Sequence, residues 1–312
     1  MIDDMQSPLV TAIITTYDRP MYLEAAVKSV LDQTYDNLEL IVVDDHSPVP
    51  AADVLSNVDV DALERTEIIR HDENRGANAA RNTGIGAASG EYVVFLDDDD
   101  RWVPKKTARQ LREFQRSDDV GVVYAGVWRS VGDDTKVQIP PHIEESMTKT
   151  LLCENVVGSM SVVMVRTDVA KSVPLDEEFP CWADLEWYIN LSRETSFQCV
   201  PEPLVRYETD SPGRLSRDFE KTHRGYELFL NRFDPLAAEF GPEFQRKMRG
   251  WAAFRAGKGA FHDGRYARAR AFFGRAVLAY PLESEFWQFL FASAGGPLTH
   301  SLGRTVAPLA GK

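Results

Sequence analysis

Three short runs of apolar, largely β-branched residues decide most of what this chain can fold into: Leu9 to Thr15 (LVTAIIT), Leu38 to Val43 (LELIVV) and Tyr92 to Leu96 (YVVFL). Each is nearly unbroken in hydrophobic side chains, which is how a strand reads when both faces of its sheet are covered. Between the first two, Met21 to Gln33 sets Leu23, Ala26, Val27, Val30 and Leu31 on one helical face behind Pro20, a residue at home in a first turn. Between the second and third, the small residues of Gly76 to Ala88 suit a helix packed closely on a sheet. Strands alternating with helices predict βαβ units around a mostly parallel central sheet.

In such sheets ligands bind outside the carboxyl ends of the strands. The polar residues closing the three runs are Thr16-Tyr17-Asp18, Asp44-Asp45-His46 and Asp97-Asp98-Asp99-Asp100. Carboxylates two apart in a tight loop can direct oxygens at one hard cation, Mg2+ or Mn2+, whose shell is completed by substrate phosphates. Taken alone, four aspartates are more often a solvated loop, and only their position after a buried strand argues otherwise. Asp44-Asp45 is either a turn-forming pair ahead of Ser47-Pro48 or an acceptor for a base N–H or a ribose hydroxyl. Tyr17 can stack on a nucleobase or simply pack. Arg75, Arg81 and Asn82 can bind nucleotide or position their helix, Arg214 and His223 can contact diphosphate, and Trp102 and Trp182 can line an acceptor pocket.

Further along, the pattern predicts a helix over Lys105 to Arg116, strands over Val120 to Val127 and Ser161 to Val165, and a helix over Asp184 to Arg193. Pro201 to Arg217 reads as a loop, and the first domain is expected to end near residue 220. In the tail, residues 221–312, the spacing of Gly257, Gly264, Tyr266, Ala269, Phe273, Ala276 and Pro281 suggests one tetratricopeptide-like helical hairpin. A single repeat cannot bury its own face, so a small helical C-terminal appendage is expected rather than an array.

Composition removes other classes. Of 312 residues, 44% are hydrophobic and 27% charged, ordinary globular usage, and the net charge of −13 with no basic segment speaks against nucleic acid as partner. Three scattered cysteines and six histidines form neither a CxxC nor an HExxH spacing, which disfavours a zinc hydrolase. Gly84-Ile85-Gly86 with Gly90 imitates a dinucleotide fingerprint, but these glycines follow a helix and precede a strand, the reverse of its order. MIDDMQSPLV lacks the basic start of a signal peptide, and no apolar run approaches the ~18 residues of a membrane span. A cytoplasmic protein is expected, at most peripheral at the inner face of the membrane, with Phe286 to Phe291 (FWQFLF) either docking there or packing internally.

Four segments, taken together, resemble the family 2 inverting glycosyltransferases of GT-A fold: VTAIITTYDRP (Val10 to Pro20), LELIVVDDHS (Leu38 to Ser47), ENRGANAARNTGIGAASGEYVVFLDDDDRW (Glu73 to Trp102) and WADLEWYINLSRE followed by VPEPLVRYE (Trp182 to Glu208). The resemblance covers roughly the first 210 residues in order. It implies that Tyr17 and Asp45 hold the base of a nucleotide-sugar donor, with uracil expected and guanine or thymine compatible. It implies that Asp97-Asp98-Asp99 is the DXD motif, with Asp98 on the ribose and Asp99 on the Mn2+ or Mg2+ that bridges the diphosphate. It makes Asp184 the general base, although Ala183 stands where the family commonly has a glutamate. The implied acceptor is a glycan, polysaccharide or lipid-linked oligosaccharide. Two alternatives share the scaffold, an inactive nucleotide- or cation-binding module and a sugar nucleotidyltransferase. The latter would need a Gly-rich basic loop where TTYDRP stands.

Overall fold

The computed structural model describes residues 7–60, 63, 65–131, 134–207 and 219–294. The chain divides into two compact units. One comprises Met1–Thr148, Val156–Glu177 and Ala183–Ser211; the other comprises Lys149–Asn155, Glu178–Trp182 and Pro212–Lys312.

The first unit is built on one sheet. β1 (Val10–Thr16), β2 (Leu38–Asp44), β3 (Arg65–Arg70) and β4 (Tyr92–Asp97) are parallel, in the spatial order β3-β2-β1-β4. The crossovers carry α1 (Pro20–Leu31), the short α2 (Ala51–Val54) and α3 (Ala77–Ala87). Consecutive residues of a strand face opposite sides, and Ile13 and Ile14, Ile41 and Val42, Val94 and Phe95 are all no more than 1% exposed. Both faces of the central strands are therefore covered, as their unbroken apolar runs predict. β3 escapes that pattern because its sequence, RTEIIR, is that of an edge strand with exposed charged positions.

After β4 come β5 (Arg101–Trp102), α4 (Lys106–Phe114), β6 (Val120–Val131), β7 (Asp134–Gln138) and α5 (Met147–Cys153). A 3-10 turn at Met160–Val162, β8 (Met164–Arg166), α6 (Thr167–Ser172), α7 (Ala183–Glu194) and β9 (Ser196–Tyr207) complete the order. β8 is antiparallel to both β4 and β6 and so joins the parallel half of the sheet to the β6–β9 pair. The strand expected over Ser161 to Val165 is thus part 3-10 turn and part strand. The loop expected from Pro201 is corrected as well, since β9 runs through Pro201 and Pro203. Its partner residue moves from Val200 at Ala125 to Pro203 at Gly126, an irregularity that accommodates prolines in a strand. Residues 208–217 of that expected loop lie outside the described residues.

The second unit contains α8 (Phe219–Glu239), α9 (Pro242–His262), α10 (Tyr266–Ala279) and α11 (Ser284–Ala294). α9 and α10 form the hairpin that the glycine spacing predicts. Gly264 turns with φ +72°, and a Cβ at Gly257 would stand 2.6 Å from the Phe273 ring, so the helices cross where there is no side chain. Phe254, Phe261, Phe273 and Phe286 fill this unit's core. The FWQFLF stretch is divided between roles: Phe286 is fully buried, while Trp287 and Phe291 are 39% and 67% exposed.

Candidate active site

β1, β2 and β4 are neighbours in parallel register, with Thr16 beside Asp44 and Thr15 beside Asp97, so their polar ends open on the same side of the sheet. The Asp45 N–H donates to the Thr16 carbonyl at 2.9 Å, tying two of those ends together.

The aspartate quartet is not a solvated loop. Its turn is closed by the Asp100 N–H donating to the Asp97 carbonyl at 3.0 Å, and each carboxylate has partners of its own. Asp97 pairs with Arg81 of α3 at 2.7 Å. Asp98, 4% exposed, accepts from the Thr16 hydroxyl at 2.7 Å and from Arg19 Nη1 at 3.0 Å. Asp99, 9% exposed, meets the same Arg19 nitrogen at 3.1 Å. Asp100, 1% exposed, accepts from the Ser161 hydroxyl at 2.6 Å, and that hydroxyl also receives the Asp97 N–H at 3.0 Å. Burial pushes the Asp98 carboxyl up to about 6, even though the Thr16 hydroxyl and Arg19 favour its charged form. Burial works against the Arg19 cation, but Asp98 and Asp99 outweigh it and raise its pKa. Sequence inspection passed over Arg19; the available signal was a lone cation just past a strand end, in TTYDRP.

Asp44 and Asp45 resolve into different roles. Asp44 is the turn-former: its carboxylate accepts the N–H groups of Ser47 at 2.7 Å and Ala51 at 3.0 Å, and pairs with Arg70. Asp45 accepts the N–H groups of Arg75 and Gly76 at 2.8 and 2.7 Å, and His71 Nδ1 lies 2.8 Å from it. Gly76, with φ +91°, lets the chain turn these donors toward Asp45 just ahead of α3. Arg70, His71, Asp72, Glu73 and Arg75 line an open groove of about 370 Å³ beside Asp45. Tyr17 stands 47% exposed at the end of β1.

Asn82 meets the 175–177 segment. Its amide donates to the Leu175 carbonyl at 2.9 Å and to Glu177 at 3.1 Å, and its oxygen accepts the Leu175 N–H at 3.0 Å. Asn78, one turn earlier, donates to the Asp176 carbonyl at 2.7 Å, and Arg75 reaches Glu177 at 3.5 Å. α3 therefore clamps the 175–177 segment.

Asp184 lies in the first turn of α7, where its carboxylate accepts the Leu185 N–H at 2.8 Å. One turn on, the buried Tyr188 hydroxyl is held well above its ordinary pKa by burial, with Asp184 and Asp97 adding to the effect and Arg81 opposing it.

Trp102 does not present an acceptor wall. It is 3% exposed, its indole N–H donates to the Ser161 carbonyl at 3.1 Å, and the buried Lys106 Nζ lies 4.2 Å from the ring centroid. Trp182 belongs to the second unit, edge-on to Phe229 at 6.2 Å with the Arg255 guanidinium 5.1 Å from its ring. His223, on α8, stacks on Phe219 at 6.1 Å and lies 3.6 Å from Glu227. Arg214 lies outside the described residues.

Among the described residues no group of three or more metal-ligating side chains forms a ready-made site. Asp98 and Asp99 nevertheless fit a hard divalent cation, which takes one or two carboxylates and draws the rest of its shell from phosphates and water. The Arg19 nitrogen between them marks where positive charge is favoured.

A parallel half-sheet with acidic strand ends, joined through an antiparallel strand to a second parallel pair and followed by helices, is a GT-A type architecture. Residues 11–172 match the family model described as Glycosyl transferase family 2, and the chain belongs to that family. TuaG of Bacillus subtilis (strain 168), a putative teichuronic acid biosynthesis glycosyltransferase, is 35% identical over 161 residues, 51% of this chain and 63% of TuaG. The matched stretch is thus under two thirds of that relative's length. Among solved structures, S. aureus TarS 1-349 superposes with TM-score 0.61 at 18% identity, covering 94% of this chain and 86% of that one. The mannosyltransferase PcManGT of Pyrobaculum calidifontis, in complex with GDP-Man and Mn2+, superposes with TM-score 0.57 at 17% identity over 96% and 87% of the two chains. TarS is also described in complex with UDP and with UDP-GlcNAc. At these identities the likeness establishes the fold.

Proposed function

We propose that the protein transfers a sugar, with inversion, from a nucleoside diphosphate donor to a hydroxyl of a glycan, polysaccharide or lipid-linked acceptor. The observation that carries this reading is the convergence of Thr16, Asp45 and Asp97 to Asp99 at adjacent parallel strand ends. A UDP-sugar is the proposed donor, its base taken in the groove beside Asp45 and Tyr17 and its ribose at Asp98. Asp99, with Asp98 beside it, would hold Mn2+ or Mg2+, which supplies charge compensation at the diphosphate. Asp184 takes the acceptor's hydroxyl proton as that oxygen attacks the anomeric carbon. The bond from that carbon to the diphosphate oxygen breaks, the nucleoside diphosphate leaves, and a single in-line displacement inverts the centre. Among the described residues no helix is long and apolar enough to cross a membrane.

The test is to incubate purified protein and Mn2+ with a panel of nucleotide sugars, measuring donor hydrolysis, transfer and ligand-dependent melting. Asp99→Ala should lose metal-dependent donor binding and about 10²-fold or more of the activity. Asp184→Asn should keep donor binding and lose roughly 10²- to 10⁴-fold in transfer. Full transfer by Asp184→Asn removes that residue as base, and failure to bind any donor removes the whole reading.

A further inference from the structure

One guanidinium nitrogen, Arg19 Nη1, lies 3.0 Å from Asp98 Oδ1 and 3.1 Å from Asp99 Oδ2, the latter being the carboxylate proposed above to hold the metal. The other Asp98 oxygen is already held by the Thr16 hydroxyl at 2.7 Å, so Arg19 takes the side of the carboxyl that faces Asp99. Both acids are nearly buried, whereas the Arg19 side chain is 24% exposed and springs from the residue that precedes α1. A built-in cation therefore bridges the acidic pair.

We propose that Arg19 is the resident counter-cation of the Asp98–Asp99 pair, which a divalent metal must displace, so that metal binds poorly to the donor-free enzyme and enters together with the nucleoside diphosphate. The proposal rests on the assignment of Asp99 as metal-binding. An Mg2+ ion sits about 2.0–2.1 Å from its oxygen ligands and so would compete for the space between the carboxylates that the guanidinium nitrogen fills. Two cations cannot share that space, because their repulsion in a half-buried setting is large. The diphosphate supplies the negative charge that lets metal and arginine coexist near the pair. Without Arg19, two nearly buried carboxylates lose their shared cation and become a stronger metal site, not a weaker one.

The experiment measures Mn2+ binding by the electron paramagnetic resonance of free Mn2+, with full-length wild type, Arg19→Gln, Arg19→Lys and Asp99→Ala, each with and without UDP. Without UDP, Arg19→Gln is expected to bind Mn2+ roughly ten- to a hundredfold more tightly than wild type, the equivalent of the charge-assisted hydrogen bonds removed. Arg19→Lys keeps the positive charge but not the planar fork, and is expected to shift the same way by about threefold; it decides the matter if the glutamine variant does not fold. UDP should tighten Mn2+ binding more in wild type than in either variant. Unchanged or weaker Mn2+ binding in the arginine variants overturns the proposal while leaving Asp99 as a ligand. If wild type with UDP binds no Mn2+, or Asp99→Ala binds it as well as wild type does, the metal assignment itself fails and this proposal falls with it.

Discussion

Asp44 and Asp45 are adjacent carboxylates that differ in what holds them, and the difference predicts their behaviour in acid. Asp44 is fully buried, yet its carboxyl is held below the ordinary value: burial alone would raise it, and the Ser47 and Ala51 donors with Arg70 outweigh that. A group whose folded pKa is depressed contributes stability that is present above the unfolded value, about 3.9, and is lost as pH falls through the folded one. Asp44→Asn should therefore cost about 1–3 kcal/mol at pH 7, because buried donors lose a charged acceptor, and should flatten the loss of stability below about pH 4. Urea unfolding at pH 7 and at pH 3.5 reads both effects; an unchanged acid profile would show that Asp44 does not carry it. The sequence left both readings open for this pair, since the donors that separate them come from residues 3, 7, 30 and 31 positions away. The quartet was easier to recognise because its signal, acid after a buried strand, is local. Its neutralisation by Arg19 and Arg81 was not, because those partners are brought by other elements.

At the scale of elements, α3 connects packing to the site, for it carries Asn78, Arg81 and Asn82 on one side and lies against β1 on another. Its glycines explain the imitation of a dinucleotide fingerprint in packing terms. A Cβ at Gly84 would stand 2.5 Å from Ile13 Cγ2, and one at Gly90, which lies past the end of α3, would stand 2.8 Å from the Thr11 nitrogen, so both permit close approach to β1. A Cβ at Gly86 would meet nothing within 4 Å. Two substitutions in one helix should thus have opposite signs. Gly86→Ala should stabilise by about 0.5–1 kcal/mol through helix propensity. Gly84→Ala gains the same propensity but must push α3 off a fully packed strand, and overpacking of about 1–3 kcal/mol wins. Because α3 also holds Arg81 on Asp97 and the 175–177 segment, Gly84→Ala should weaken donor binding as well, read by calorimetry beside denaturant unfolding. Equal effects of the two alanines would show that the fit against Ile13 is loose. Central strands and amphipathic helices were legible in the sequence because burial on both faces or on one leaves a periodic trace. β3 and β9 were not: an edge strand carries charge, and a strand with an irregular register admits prolines.

At the scale of the whole molecule, the helical unit is assembled from more than one stretch of chain. That unit takes two short segments from upstream, Lys149–Asn155 and Glu178–Trp182, besides everything from Pro212 onward. Cys153 belongs to its apolar core, and its carbonyl accepts from Arg255 at 2.7 Å. Trp182 meets Phe229 edge-on, and Gly225 has no side chain where the Cys181 sulfur comes up against α8. Segments of seven and five residues carry no periodicity that could assign them to a distant unit, so only the fold reveals the membership. A chain ended after residue 211 would strip these segments of their helical partners, exposing Phe179, Cys181 and Trp182 immediately before Asp184 and α7. Each large apolar side chain so uncovered forfeits about 1.5–3 kcal/mol, and several together rival the 5–15 kcal/mol that holds a typical domain folded. The 1–211 fragment is accordingly expected to be insoluble or to melt well below the full chain, and to bind no nucleotide. Side-by-side expression, thermal melting and UDP titration of the two chains check this. A fragment as stable as the full chain would mean that the two upstream segments find adequate cover without α8 to α11, and that the helices are dispensable to the catalytic fold.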